Sequence, residues 1–223
     1  MALTTIPGYI YGTDKVPRSP VSLDEVELIK ATLLFGEDDR DALRSSSEIL
    51  APQIDAILDV WYGFVGANPH LLVGFTGPDG EPDQAYLAAV RRRFGQWILD
   101  TARAEFDQAW LDYQHEIGVR HTRRGKNRTD GVRAADHIPL RYVLALLIPI
   151  TTTLKPFLAN GGASQDEVEA MHQAWVKAVL LQVILWSQPY VRQGYFRSRP
   201  AGPDAFSLLV RALVGTTSGA LEP

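Results

Sequence analysis

Histidine is the residue type on which a catalytic or metal site in this sequence would most readily depend, and the chain contains five: His70, His115, His121, His137 and His172. No two of them have the i, i+4 spacing of an HExxH zinc site. There is no cysteine, which excludes disulfides, thiolate nucleophiles and cysteine-ligated metals. The sequence also lacks a Gly-rich phosphate loop and a local Ser-His-Asp motif. Two possibilities remain: a catalytic triad whose residues are scattered along the chain, or a histidine that acts alone.

One histidine lies at the end of a predicted amphipathic helix that runs from about residue 105 to residue 122. Four residues at i, i+3, i+7 and i+11 share one face of this helix, at about 100° per residue: Trp110, Tyr113, Ile117 and His121. The segment Arg123 to Asn127 ends the helix, with cations in the last turn and Gly and Asn beyond it. The pattern therefore predicts an imidazole that points inward near a helix C-terminus.

An inward imidazole has two interpretations, and the residue pattern leaves both open. A neutral imidazole nitrogen can ligate haem iron if apolar walls hold the porphyrin, and an oxygen bound to the other ring nitrogen would fix its orientation. A lone inward histidine is more commonly a core residue that has found a hydrogen-bond partner. The aromatic residues Trp61, Tyr62, Phe75 and Phe94 are equally ambiguous, as core residues or as cofactor walls.

The elements that position these residues are predicted to be helices throughout. Capping boxes at Ser22 and Ser164 mark two helix starts, and no alternating run bounded by hairpin turns predicts a strand. Pro149 and Pro156 should bend the helix that contains them. We expect about eight helices in an all-α fold, near residues 22–35, 37–51, 52–65, 70–75, 83–101, 105–122, 139–160 and 164–187.

Composition limits the class of protein. With 223 residues, 46% hydrophobic and 22% charged, the chain has the composition of one large or two small globular domains. A net charge of −4 argues against nucleic-acid binding. The N-terminus lacks the pattern of a signal peptide, and the apolar runs 143–150 and 178–186 are too short to span a membrane. We therefore expect a cytoplasmic protein with no nucleic-acid or membrane partner.

The two ends of the chain differ from its body. Residues 1–21 combine prolines and glycines with Tyr9 and Tyr11, which predicts an irregular arm lying against the body; a frayed tail is the alternative. Residues 197–223 begin as a Pro- and Gly-containing linker and include one possible short helix at 204–214.

Several stretches, in order along the chain, resemble the protoglobins, which are single-domain relatives of the globin-coupled sensors. They include IPGYIYG at 6–12, ILDVWYGFV at 57–65, YLAAVRRRF at 86–94, WILDT at 97–101, WLDYQ at 110–114, GVRH at 118–121 and PITTTLKPF at 149–157. The resemblance covers about residues 5–195. It implies a globin-like helical sandwich with an extra N-terminal helix and arm, spanning residues 1–196, and haem b as cofactor. The tail from residue 197 has no counterpart in it.

The resemblance also implies roles for individual residues. His121 is the expected proximal iron ligand, Tyr62 the distal tyrosine and Trp61 the adjacent gate. The remaining pocket residues are expected to be Phe75, Val90, Arg93, Phe94, Leu146 and Ile150. Val90 stands where other globins place a distal histidine, so Tyr62 becomes the expected hydrogen-bond donor to bound dioxygen. Leu146 stands where the family often has phenylalanine, which opens space.

Arg93 has two interpretations. It would pair with a haem propionate, or it is a solvated arginine in a basic turn.

Helices 139–160 and 164–187 are apolar on nearly every side, which favours burial on every side. We expect a homodimer through these two helices, as the resemblance also implies, and charged residues at Leu181 and Leu185 should separate the subunits.

The function expected is binding or sensing of dioxygen, carbon monoxide or nitric oxide. Two alternatives remain. One is a haem enzyme that activates dioxygen, peroxide or nitric oxide or supports carbene transfer; the other is a helical scaffold without haem.

Overall fold

Nine α-helices make up most of the described chain in this computed structural model, which describes residues 6–191 and residue 196. They are α1 (Leu23–Thr32), α2 (Glu37–Leu50), α3 (Ile54–Gly66), α4 (Pro69–Leu72), α5 (Gln84–Arg103), α6 (Gln108–His121), α7 (Leu140–Ala145), α8 (Leu147–Ala159) and α9 (Gln165–Ser187). Short 3₁₀ turns follow α2, α4 and α9, at Ala51–Gln53, Val73–Phe75 and Gln188–Tyr190. Within the described residues the only β pairing is one isolated bridge between Thr76 and Pro82. The all-α prediction is confirmed. The possible helix at 204–214 lies outside the described residues.

Side-chain caps fix where the helices start. At α1 and α9 a serine and a glutamate form the predicted capping boxes: the Glu25 carboxylate accepts the Ser22 N–H at 2.8 Å. The Asp107 carboxylate accepts the backbone N–H of Trp110 at 2.8 Å, so α6 starts three residues later than the sequence predicted. His121 is the last residue of α6, with Thr122 as its C-cap.

Pro149 divides the predicted helix 139–160 into two. In a continuous helix the Pro149 ring would clash with the carbonyl group of Ala145, four positions earlier, and α7 accordingly ends at Ala145. Pro156, by contrast, lies inside α8 without interrupting it. The bend predicted at Pro149 is therefore present as a break in the helix. Pro156 does not end the helix that contains it.

The segment Leu140–Ala159 is long and apolar enough to span a membrane by length and composition, with a mean hydropathy of 1.6. Here the sequence alone shows an apolar run only over 143–150, which is too short to span a membrane, so no such segment was expected. A single candidate of this kind is weak evidence, because core helices of water-soluble proteins have the same composition.

α9 lies at the centre of the protomer and packs against α2, α6 and α8. Three tryptophan N–H groups in this core each have a polar partner: Trp97 donates to Gln182 at 2.6 Å, Trp175 to Ser46 at 2.9 Å and Trp186 to Gln114 at 2.9 Å. Burying an indole N–H without a hydrogen-bond partner would lower the stability of the fold. These three hydrogen bonds therefore favour one packing of α9 against its neighbours.

The exposure of apolar residues corrects the expectation for α8 and α9. Leu181 and Leu185 are 0% and 2% exposed, so they belong to the core of a single protomer rather than to a surface between subunits. Leu147 is buried as well. Leu144 and Ile148 remain 48% and 63% exposed, and they form a smaller apolar surface than the sequence suggested.

Candidate cofactor pocket

A cavity of about 260 Å³ opens between the helices, and its lining contains every residue that the sequence assigned to the site. These residues come from α3, the turn after α4, α5, α6 and α8, and from the junction of α7 and α8: Trp61, Tyr62, Phe75, Val90, Arg93, Phe94, His121, Leu146 and Ile150. The structure thus brings together side chains that are up to about ninety positions apart in the chain. Their individual roles stay predictions.

His121 is held in one orientation. Its Nδ1 lies 2.8 Å from the carbonyl oxygen of Ile117, and because a carbonyl only accepts, Nδ1 carries the proton. Burial lowers the pKa of His121, which keeps the ring neutral. Nε2 has no hydrogen-bond partner among the described residues, and the side chain lines the cavity. A neutral imidazole with one nitrogen fixed and the other free is the form that ligates iron.

The surroundings of His121 restrict its movement further. The ring of Trp186 stacks on it, with ring centroids 5.7 Å apart and planes 18° from parallel. The carbonyl oxygen of His121 accepts the N–H of Ile138 at 2.8 Å, and the Tyr190 hydroxyl lies 2.8 Å from the same oxygen. Both the side chain and the backbone of His121 are therefore braced by residues from outside α6.

Tyr62 brings a hydroxyl to the cavity that makes no hydrogen bond to any residue in the described part of the chain. Burial raises the pKa of Tyr62, so the phenol stays protonated at neutral pH and remains a donor. Its ring packs edge-on against Phe75, with centroids 6.3 Å apart. A protonated and unengaged hydroxyl in an apolar cavity is able to donate to a small polar ligand.

Aromatic contacts build the remaining wall. The ring centroid of Phe94 lies 5.5 Å from that of Trp61 and 5.3 Å from that of Trp97. Trp61 is buried against α5, and Val90, one turn before Phe94, lines the same cavity. The wall is therefore apolar at Val90, where an imidazole would otherwise have been available to a ligand.

Arg93 is already engaged. Its guanidinium makes two hydrogen bonds to the Asp130 carboxylate, at 2.9 and 2.7 Å, and a third to the carbonyl oxygen of Pro7 at 2.8 Å. Both side chains of the ion pair are largely buried. Arg93 is thus not the solvated arginine that one interpretation expected, and its pairing with a haem propionate remains a prediction.

The N-terminal arm, residues 6–21, lies against α5 and α6. The Tyr9 hydroxyl donates to Asp100 at 2.7 Å. The rings of Tyr9 and Tyr11 make T-shaped contacts with the ring of Tyr113, which lines the cavity. Gly8 has φ +72°, and a Cβ there would lie 2.6 Å from Arg93 Nη1, so the arm approaches this closely only with glycine. A frayed tail is excluded for the described part of the arm.

Sequence reasoning missed several residues that shape the cavity. The sequence placed Lys126 in the segment that ends a helix and Trp186 in an apolar run of the last helix, and both line the cavity. Lys126 is buried in the lining, where its ammonium donates to the Tyr86 hydroxyl at 2.7 Å. The one sequence signal for it was its proximity to His121, which does not distinguish a solvated lysine from a buried one.

The residues present fit a haem group. Apolar and aromatic side chains supply most of the walls, His121 presents a ring nitrogen without a partner, and three cationic side chains belong to the lining. His70 and His137 line the cavity as well. Within the described residues, no cluster of three or more His, Asp or Glu side chains is able to hold a metal ion without a cofactor. The donor set is that of a single axial ligand to a porphyrin-held metal.

A helical sandwich around a largely apolar cavity, with a neutral imidazole oriented by a backbone carbonyl in its lining, is the arrangement of the globin class. Similarity to a solved structure supports the fold: the globin domain of a globin-coupled sensor from Geobacter sulfurreducens aligns with a TM-score of 0.56 and 14% identity, over 74% of this chain and 97% of that one. The Protoglobin family model matches residues 22–195, and the chain belongs to this family. No curated protein matches it. Family membership supports a globin-type role in gas binding or sensing and implies a haem cofactor.

Proposed function

We propose that this protein holds haem b through His121 and binds dioxygen, carbon monoxide or nitric oxide at the iron. The observation that carries the proposal is the state of the imidazole: Nδ1 is fixed by Ile117 at 2.8 Å and Nε2 is without a partner in the described chain. The free Nε2 belongs to a ring that lines a cavity with apolar and aromatic walls, which is the setting that haem ligation requires.

Bound haem supplies an iron with an open coordination position for a diatomic ligand. The chain supplies the rest. The Ile117 carbonyl orients the imidazole, the apolar walls limit the access of water, and the Tyr62 hydroxyl would donate to a bound oxygen atom. Val90 cannot donate, and we assign the polar interaction to Tyr62 because its hydroxyl is protonated and makes no hydrogen bond within the described chain.

The direct test is a titration of the haem-free protein with haem, followed by absorption spectra after reduction and after addition of carbon monoxide. We expect stoichiometric binding and a carbon monoxide spectrum of a histidine-ligated iron. A protein that takes up no haem would contradict the proposal and favour the haem-free scaffold.

Tyr62→Phe is expected to speed dioxygen release by roughly fivefold, since a hydrogen bond worth about 1 kcal/mol is removed without changing the shape of the wall. Stopped-flow measurement of the dissociation rate checks this. Carbon monoxide, which accepts hydrogen bonds poorly, serves as the internal control, and its release should change little. Equal dissociation rates of dioxygen from both proteins would exclude Tyr62 as the donor.

We do not extend the proposal to catalysis. Asp130 is the only carboxylate among the described residues of the lining, and it is bound in the ion pair with Arg93. His70 and His137 also line the cavity, and histidine is the residue type that most often exchanges protons in catalysis. Gas binding has the stronger support because membership of the Protoglobin family supports a globin-type role in gas binding or sensing.

We also propose that the chain forms a homodimer through α7, α8 and α9. Leu144 on α7 and Ile148 on α8, four positions apart across the break between these helices, are exposed, and Leu180 and Ile184 on α9 are only partly buried. An exposed apolar surface of this kind is commonly an interface. The surface is smaller than the sequence suggested, because Leu181 and Leu185 are occupied in the protomer core.

Ile148→Glu is expected to shift the protein to monomers while leaving its helical content and thermal stability nearly unchanged, because the side chain is 63% exposed in the protomer. Sedimentation velocity measures the shift. Leu28→Glu is the matched control, since Leu28 is 68% exposed on α1 and lies outside the proposed interface. Dimers that persist in Ile148→Glu would place the interface elsewhere.

A further inference from the structure

Lys126 is a buried cation in the lining of the cavity. It is 6% exposed, and its ammonium donates to the carbonyl oxygen of Gly74 at 2.8 Å and to the hydroxyl of Tyr86 at 2.7 Å. The rings of Tyr86 and Phe75 lie 4.6 and 5.9 Å from the nitrogen. All of these partners are neutral. Burial lowers the pKa of Lys126 to about 8, so most of the population remains charged at pH 7.

No carboxylate pairs with this ammonium in the described structure. Asp130, which also lines the cavity, is held by both terminal nitrogens of Arg93. An ammonium has three donors, and only two of those of Lys126 are used. Buried charges are normally paired, because removing an ion from water is costly unless an opposite charge compensates. Asp130 acts on Lys126 only from a distance, so the ammonium lacks an anion in direct contact.

The local fold holds Lys126 firmly in this position. Thr122, the residue after α6, accepts the backbone N–H groups of Gly125 at 3.1 Å and Lys126 at 2.9 Å, which turns the chain back onto the helix end. A Cβ on Gly125 would lie 2.6 Å from the carbonyl oxygen of Val119, so only glycine allows the turn to close this tightly. The lysine consequently enters the same cavity as His121, from the segment directly after it.

We infer that Lys126 binds a carboxylate of the molecule that occupies this cavity, which on the proposed function is a propionate of haem. This inference rests on the proposed function. It assigns the carboxylate contact to Lys126 rather than to Arg93, because the guanidinium of Arg93 is already bound by Asp130 and Pro7. The carboxylate supplies the missing negative charge and accepts the third N–H of the ammonium.

A purely structural role for Lys126 makes a different prediction. In that case the lysine serves only to join the turn at Gly74 to α5 through Tyr86, and its loss would weaken the binding of every porphyrin to the same degree. A carboxylate contact instead discriminates between a porphyrin with free propionates and one whose propionates are esterified.

The experiment compares haem with its dimethyl ester. Both are titrated into haem-free wild type, Lys126→Met, Arg93→Met and Arg128→Met, and the dissociation constants are read from the Soret band. Arg128→Met removes the same charge from an exposed side chain of the same segment, which has no ion pair in the described structure. Wild type should bind haem more tightly than the ester. Lys126→Met should lose about tenfold in affinity for haem and little for the ester, and Arg128→Met should resemble wild type.

Three results would overturn the inference: equal loss of both ligands in Lys126→Met, no loss of either, or loss of the haem preference only in Arg93→Met. Circular dichroism and thermal unfolding confirm that each variant folds. If Lys126→Met does not fold, Lys126→Gln, which keeps a donor but no charge, replaces it with the same expected result. Failure of wild type to bind either porphyrin is a separate outcome, which refutes the proposed function itself.

Discussion

His121→Gly protein mixed with haem shows no histidine-ligated Soret spectrum, and millimolar free imidazole restores one. We expect this result because Nε2 of His121 is the one ring nitrogen in α6 that is fixed for ligation and unoccupied, and because removing the ring leaves a space of its own shape beside Trp186. Rescue by a free ligand distinguishes loss of coordination from loss of the fold. Absorption spectra with and without imidazole are the measurement.

His115→Gly is the control for this variant. His115 lies on the same helix, is half-buried and does not line the cavity. Its substitution therefore lowers stability by the same amount, about 1 kcal/mol for glycine inside a helix, and leaves the proposed ligand in place. Its spectrum should match that of wild type. An unchanged Soret band in His121→Gly, or a loss of the band in both variants, would refute the assignment of His121 as ligand.

Leu181→Glu is expected to abolish folding rather than to produce a stable monomer. The Leu181 side chain is 0% exposed, so the new carboxylate would be taken out of water into the core. The cost is on the order of several kcal/mol, comparable with the roughly 5–15 kcal/mol of stability of a whole domain. Soluble yield and urea unfolding followed by circular dichroism measure the effect.

Leu144→Glu makes the corresponding control. Leu144 is also an apolar residue of the two-helix region but is 48% exposed, so the same charge should leave the fold intact. A folded and monomeric Leu181→Glu protein would show that Leu181 lies between subunits after all, and that its burial in the protomer does not determine its role.

Local signals in the sequence predicted the helices well, because those signals are short-range. Ser22 with Glu25 and Ser164 with Glu167 cap the helices that they were expected to start. The residues of the predicted face of α6 are indeed buried or half-buried, and three of them, Tyr113, Ile117 and His121, line the cavity. Spacing within one helix is enough for such an inference, since the 3.6-residue period fixes which side chains share a face.

The assembly of the pocket could not be predicted from spacing. Tyr62, Phe94 and His121 lie on three different helices, and only the likeness to a known family suggested that they meet. Apolar periodicity also fails to distinguish burial within a protomer from burial between protomers. Leu181 shows this, because what covers it are helices from distant parts of the chain.

The Tyr190 hydroxyl lies 2.8 Å from the carbonyl oxygen of His121 and 2.7 Å from that of Ile138. A hydrogen bond tolerates only a few tenths of an ångström of stretching before it weakens steeply. The end of α6, the residue two positions before α7 and the 3₁₀ turn after α9 are therefore joined at one hydroxyl group. A shift of the backbone at His121 has to be followed by Ile138 and Tyr190, or at least one of these two contacts is lost.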